Sequence, residues 1–200
     1  MAGNTQDRRL RLRNRCRLAG WGSAAALLLL PLLAMRFTDE VNWDLADFAC
    51  AGALVLGVGV AYELTAATTA NRAYRAAVGV ALAAAFILVW VNVAVGIIGS
   101  EDHPANLMYY GVLAVGVVGA VVARLRPRAM ARSLVAMALA QALVAVVALI
   151  AGLGFTGPVT LFFAALWLTS AWLFRKAARE QACAGTVPQI ARSTGQVGAP

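Results

Sequence analysis

Apolar residues in this chain come in long unbroken runs. They do not alternate as in a half-buried strand, nor form the narrow stripe of a surface helix. A helix needs about 20 apolar residues to cross a bilayer core of about 30 Å. Six runs are of that kind, at residues 19–36, 46–66, 76–99, 107–123, 132–152 and 158–174. The pattern predicts an all-α fold, a polytopic membrane helix bundle of six transmembrane helices. Residues 19–176 form the transmembrane domain. A basic tail, 1–18, precedes it and a C-terminal tail, 177–200, follows, both expected to be mobile because neither has an apolar face to dock.

The first run follows a basic segment and contains Leu27 to Leu30, Pro31, Leu32 and Leu33. A cleavable signal ends in a small-x-small site before a polar mature chain. Leu33-Ala34-Met35-Arg36-Phe37 offers no such site, and Asp7-Arg8-Arg9-Leu10 does not continue as a twin-arginine signal. The run therefore reads as an uncleaved first span. Pro31 is tolerable there, since neighbouring helices can satisfy the carbonyl it frees.

Charge between the runs predicts orientation. Basic residues cluster at Arg8 to Arg17, at Arg72 and Arg75, at Arg124 to Arg132, and at Arg175, Lys176, Arg179 and Arg192. With six spans these four segments share one side and hold sixteen basic residues; the other side holds only Arg36. Cytoplasmic connections carry the excess of Lys and Arg, so the prediction is N-in and C-in. Asp39, Glu40, Asp44, Asp47, Glu101 and Asp102 all fall on the opposite, periplasmic side.

Composition agrees. Hydrophobic residues make up 62% and charged ones 13% of the 200, and the mean hydropathy is +0.75. A soluble domain is nearer half apolar and a quarter charged, and a chain this small cannot hide such an excess from water. The net charge of +8 does not indicate nucleic acid, because the basic residues edge the apolar runs and form no patch interleaved with aromatics. Arginine outnumbers lysine sixteen to one and alanine is abundant, which fits a GC-rich bacterium and hence its inner membrane. The expected partners are the lipid bilayer and, at the cytoplasmic face, anionic lipid headgroups drawn to the arginines. A homo-oligomer or a larger membrane complex stays open. Cys16, Cys50 and Cys183 have no disulfide or metal-ligand spacing, and no cofactor is predicted.

Without a hydrophobic drive inside lipid, helices meet at small residues and polar contacts. Gly52, Gly57 and Gly59, then Gly111, Gly116 and Gly119, and Ser133, Ala136 and Ala140 mark such faces; Gly96 and Ser100 would make a further pair on the third helix. Trp21, Trp43, Trp167, Trp172, Tyr109 and Tyr110 mostly lie near run boundaries, where aromatic rings sit at headgroup level, while Trp90 is deeper and fills bundle volume. The segments after Arg75 and Arg132 resemble one another weakly. A parallel hairpin repeat and chance similarity of alanine-rich spans both account for that.

An ionisable group within a span is a functional candidate by default, and Glu63 is the one well inside a run. It reads either as a proton or cation relay, or as a carboxylate that snorkels or pairs with Arg72 or Arg75. Asn92 and Gln141 are the deep amides, suited to interhelical glue or to lining a polar path. Asp39, Glu40, Asp44, Glu101, Asp102 and the single histidine, His103, form the periplasmic cluster. Such groups suit a hard cation or, with His103, a transition metal. Equally, Thr38 and Ser100 or Asp102 could cap helices within solvated loops. The metal is unspecified. No catalytic residue is assigned, since the lone histidine has no evident serine or cysteine partner and no phosphate-binding glycine loop is present.

Thr38-Asp39-Glu40-Val41-Asn42-Trp43 and Val95-Gly96-Ile97-Ile98-Gly99-Ser100-Glu101-Asp102-His103-Pro104-Ala105-Asn106 resemble stretches of a family of small multi-spanning proteobacterial inner-membrane proteins. The resemblance covers most of the six runs. It implies location and helix count, and lends no activity or site. Three readings follow: an inner-membrane component that is accessory or sensing, a small-solute or ion transporter using Glu63, Asn92 and Gln141, and a membrane enzyme or metal-binding protein using the periplasmic cluster.

Overall fold

The computed structural model describes residues 3–38, 43–100 and 102–196, with the side chains of 3–17 and 185–196 outside that description. Helix is the only regular structure among the described residues. The elements are α1 (Gly3–Ala34), α2 (Leu45–Ala67), α3 (Arg72–Ala94), α4 (Leu107–Ala123), α5 (Pro127–Ile150) and α6 (Gly157–Gln196), with a short 3-10 turn at Pro104–Asn106 leading into α4. Helix is what an apolar chain must form in lipid, because it closes backbone hydrogen bonds within the segment.

Among the described residues five stretches are long and apolar enough to cross a bilayer: Leu45–Ala67, Arg72–Ala94, Pro104–Ala123, Pro127–Ile150 and Gly157–Ala184. The first predicted run is helical too, but the apolar part of α1, Leu18–Ala34, covers only about 26 Å at 1.5 Å per residue.

Helix ends depart from the predicted runs where Gly and Pro intervene. Hydropathy alone carries the third run to residue 99, whereas α3 stops at Ala94. Gly96 (φ 74°) and Gly99 (φ 67°) take left-handed backbone that ends a helix. Gly96 and Ser100 are therefore loop residues and not a helix-face pair. Pro127 at the first turn of α5 starts that helix ahead of the predicted residue 132, since its missing N–H costs nothing there. The last helix runs past the predicted 174, with Ala177 and Ala178 buried.

The chain divides into two compact units, 1–61 and 62–200. In the first, the Trp21 ring lies against Gly59, where a Cβ would stand 2.9 Å from it. The start of α2 is a capping box: the Asp47 N–H donates to Asp44 Oδ1 at 2.9 Å, and the Asp44 N–H to Asp47 Oδ2 at 3.0 Å. Trp43 and Phe48, flanking that box, meet edge to face at 5.2 Å between centroids and staple the helix entry.

In the second unit α6 is central, packed on α3 at one side and α5 at the other, and α5 packs in turn on α4. Ser170 Oγ donates to the Ala77 carbonyl at 2.7 Å, and Tyr74 meets Phe174 edge to face. The Tyr74 hydroxyl donates to the Leu125 carbonyl at 2.8 Å, tying the start of α3 to the α4–α5 turn. Asn71 caps α3 by accepting the Tyr74 N–H, and its Nδ2 donates to Glu180 at 2.8 Å. These contacts place Arg72, Arg75, Arg124, Arg126, Arg128, Arg175, Lys176 and Arg179 around one end of the unit, the basic end.

Gly116 and Gly119 let α4 approach α5. A Cβ on Gly116 would stand 2.5 Å from the flexible Met137 Sδ, whereas one on Gly119 would meet the Ser133 Cβ at 2.6 Å. Gly111 has open space. Gly119→Ala is therefore expected to cost about 1–3 kcal/mol by overpacking, and Gly116→Ala less, because methionine can yield. Gly111→Ala should be neutral or slightly stabilising through helix propensity. Thermal unfolding in detergent measures the order; equal midpoints for the three variants would contradict this α4–α5 contact.

Candidate functional site

After Ala94 the chain leaves helical geometry, and where it folds back into the protein at Ile97 and Ile98 its freed backbone groups need partners. Asn106, 4% exposed, supplies them. Its Oδ1 accepts the N–H groups of Ile97 (3.0 Å) and Ile98 (2.9 Å), and its Nδ2 donates to the carbonyls of Ile98 (3.2 Å) and Ser100 (2.7 Å). That uses the full capacity of one carboxamide. Asn92 Nδ2 then donates to the Asn106 carbonyl at 3.1 Å, joining the last turn of α3 to the start of α4. Ile98 is pinned into the core by this loop and is 1% exposed.

His103 begins the 3-10 turn: its Nδ1 accepts the Ala105 N–H at 3.2 Å. Asp44 with Asp47 caps α2, and His103 holds the cap position of the 3-10 turn that Ser100 or Asp102 was expected to take. Asp102 is exposed. Asp39, Glu40 and Glu101 lie outside the described residues. Among the described residues no three His, Cys, Asp or Glu side chains are grouped to hold a metal ion.

Glu63 is half-buried and partnered. Its neighbour Tyr62 packs at Gly79 in the first part of α3, about 20 Å along that helix from Asn92 at 1.5 Å per residue. Glu63 therefore stands toward the basic end and Asn92 at the other. Gln141 is wholly buried on α5, and neither its Oε1 nor its Nε2 finds a hydrogen-bond partner.

Gln141 is not alone. Asn92 Oδ1, Tyr109 OH, Thr156 Oγ1, Thr160 Oγ1 and Trp167 Nε1 are also buried without a partner. Tyr109 OH faces Thr156 in a contact that falls short of full hydrogen-bond geometry, so the pair is at most weakly satisfied. A buried polar group left unpaired costs about 1–3 kcal/mol. Every one of these groups lies in the second unit, toward the end bearing Asn106 or midway along the helices.

Sequence reasoning missed most of this set. Position along the runs puts Tyr109 and Trp167 at headgroup level, yet they are 1% and 0% exposed and sit inside the unit. Trp172 and Tyr110 are exposed, and Trp90 is half-buried and stacked on Phe86. A signal existed for α6: Thr156, Thr160, Phe163, Trp167, Ser170 and Phe174 recur at three- and four-residue spacing, one helix face. Asn106 offered only its place before an apolar run.

No family model, curated protein or solved structure matches this chain. The helices themselves define the class, an all-α membrane-embedded protein.

Asn106→Ala is expected to destabilise the protein by about 3 kcal/mol or more, since it strands several buried backbone groups at once. Asn92→Ala, which removes one bond, should cost about 1 kcal/mol. Denaturant titration compares the two, and hydrogen exchange at Ile97 and Ile98 should accelerate in the first variant alone. Equal losses would refute Asn106 as the clamp.

Proposed function

We propose that this chain is a six-span protein of the bacterial inner membrane, of the small multi-spanning kind it resembles, with both termini in the cytoplasm. It works within the bilayer as an accessory or sensing component rather than as an enzyme. The observation that supports this is the sorting of charge in the 62–200 unit. Eight basic side chains surround one end, while residues 93–107 and 150–160, at the other, contain no Lys or Arg. Such an excess belongs on the cytoplasmic side. The connections at 68–71, 124–126 and 151–156 are too short to fold into a domain of their own. Activity in this unit therefore rests with helix interiors and helix ends.

One observation favours a second reading, passage of a small solute: the unpartnered carboxamide of Gln141 midway along α5. Glu63, half-buried toward the basic end, stands apart from it. Flux into proteoliposomes should then fall in Gln141→Ala and hold in Glu63→Gln; unchanged flux in both variants would remove the transport reading.

Orientation has its own test. Reporters fused after Glu40 and Pro104 should read periplasm, and those after Arg72, Arg126 and Glu180 cytoplasm. A single reversed reporter breaks the six-span assignment.

A further inference from the structure

We propose that α4, α5 and α6 enclose a binding site for a small uncharged hydrogen-bonding molecule, either water or a solute of polyol or amide chemistry, with Gln141 and Trp167 at its floor. The site stands whichever way the chain is oriented, and it depends on neither functional reading above.

The levels of the groups follow from the packing. α5 ends at Ile150 and α6 begins at Gly157 after a six-residue connection, and Gln141 and Trp167 lie about 14 and 15 Å down their helices from those ends, at 1.5 Å per residue. Gly119 against Ser133 and Gly116 against Met137 set the α4–α5 register, which brings Val112 level with Gln141 and Tyr109 one turn above it. Thr160 and Thr156 continue up the Trp167 face of α6, and Tyr109 meets Thr156 there. The groups thus form a ladder from the Asn106 end to mid-helix.

Their chemistry selects the occupant. Gln141 offers a donor and an acceptor, Trp167 a donor, and each hydroxyl both. No ionised side chain is among them, so an ion would lack a counter-charge in a desolvated interior. A neutral molecule with its own donors and acceptors can pair with the rungs it reaches. The unit does pair buried polar groups where a protein partner is in reach: Ser170, less than one turn beyond Trp167, is bonded to Ala77. That bond and the Tyr74–Phe174 contact close the ladder toward the basic end.

The test is water-edited solid-state NMR of the full-length ¹⁵N-labelled chain in lipid bilayers. The Trp167 indole signal is identified by its loss in Trp167→Phe or, should that variant not fold, by backbone connectivity. Despite complete burial, the indole N–H should receive magnetisation from water or shift on addition of glycerol or acetamide. Water transfer that persists in both solutes assigns water as the resident; a shift with either solute assigns a site open to that chemistry. Gln141→Met should abolish the response. An indole silent to water and to both solutes, or a response unchanged in Gln141→Met, overturns the proposal.

Discussion

Where a chain that has left the helix folds back into a protein, the backbone N–H and C=O groups it buries must find partners, and between α3 and α4 one carboxamide supplies them. Two N–H groups donate to Asn106 and two carbonyls accept from it, all within the preceding loop. The consequences spread from there. Ile98 is held in the core, α3 is drawn to α4 through Asn92, and Tyr109 is carried into the interior one turn later. Were the loop loose, the unit would have no fixed junction between α3 and α4 at that end, because those helices otherwise pack mainly on α6 and α5.

At the basic end the same demand is met differently. Arg124 and Leu125 both take positive φ (46° and 58°), an uncommon conformation for residues with a Cβ. The turn they make exposes the Leu125 carbonyl to the Tyr74 hydroxyl. Tyr74 also packs on Phe174, so one side chain joins α3, α6 and the α4–α5 turn. Helices with no hydrophobic reason to associate in lipid are thereby fixed at both ends by polar contacts, and between them by close approach at Gly116 and Gly119.

The helices were legible in the sequence because run length decides them, and the fourth predicted run, 107–123, coincides with α4. Ends were less legible where backbone conformation outranks hydropathy: Val95, Ile97 and Ile98 are as apolar as the helix before them, yet Gly96 and Gly99 turn the chain away. The site was harder still. Asn92 and Gln141 stood out as deep amides. Tyr109 and Trp167 did not, because position along a run gives depth but not rotation, and rotation decides whether a ring meets lipid or the interior. Asn106 was invisible for another reason. Its partners are main-chain atoms six to nine residues back, and a residue type does not reveal how the backbone before it will turn.

The two ends of the second unit therefore differ in more than charge. Around the basic end, Asn71, Tyr74 and Ser170 each have a protein partner. Toward the Asn106 end the loop is fully satisfied, yet the side chains beneath it, from Asn92 and Tyr109 to Gln141, keep open donors and acceptors. A bundle selected only for stability would replace such groups by apolar ones of similar size, since an unpaired buried polar atom costs more than the bond it could make returns. Their presence on adjoining faces of α4, α5 and α6, below a loop that is itself held rigidly, is what a site needs: fixed walls, unspent hydrogen bonds and one closed end.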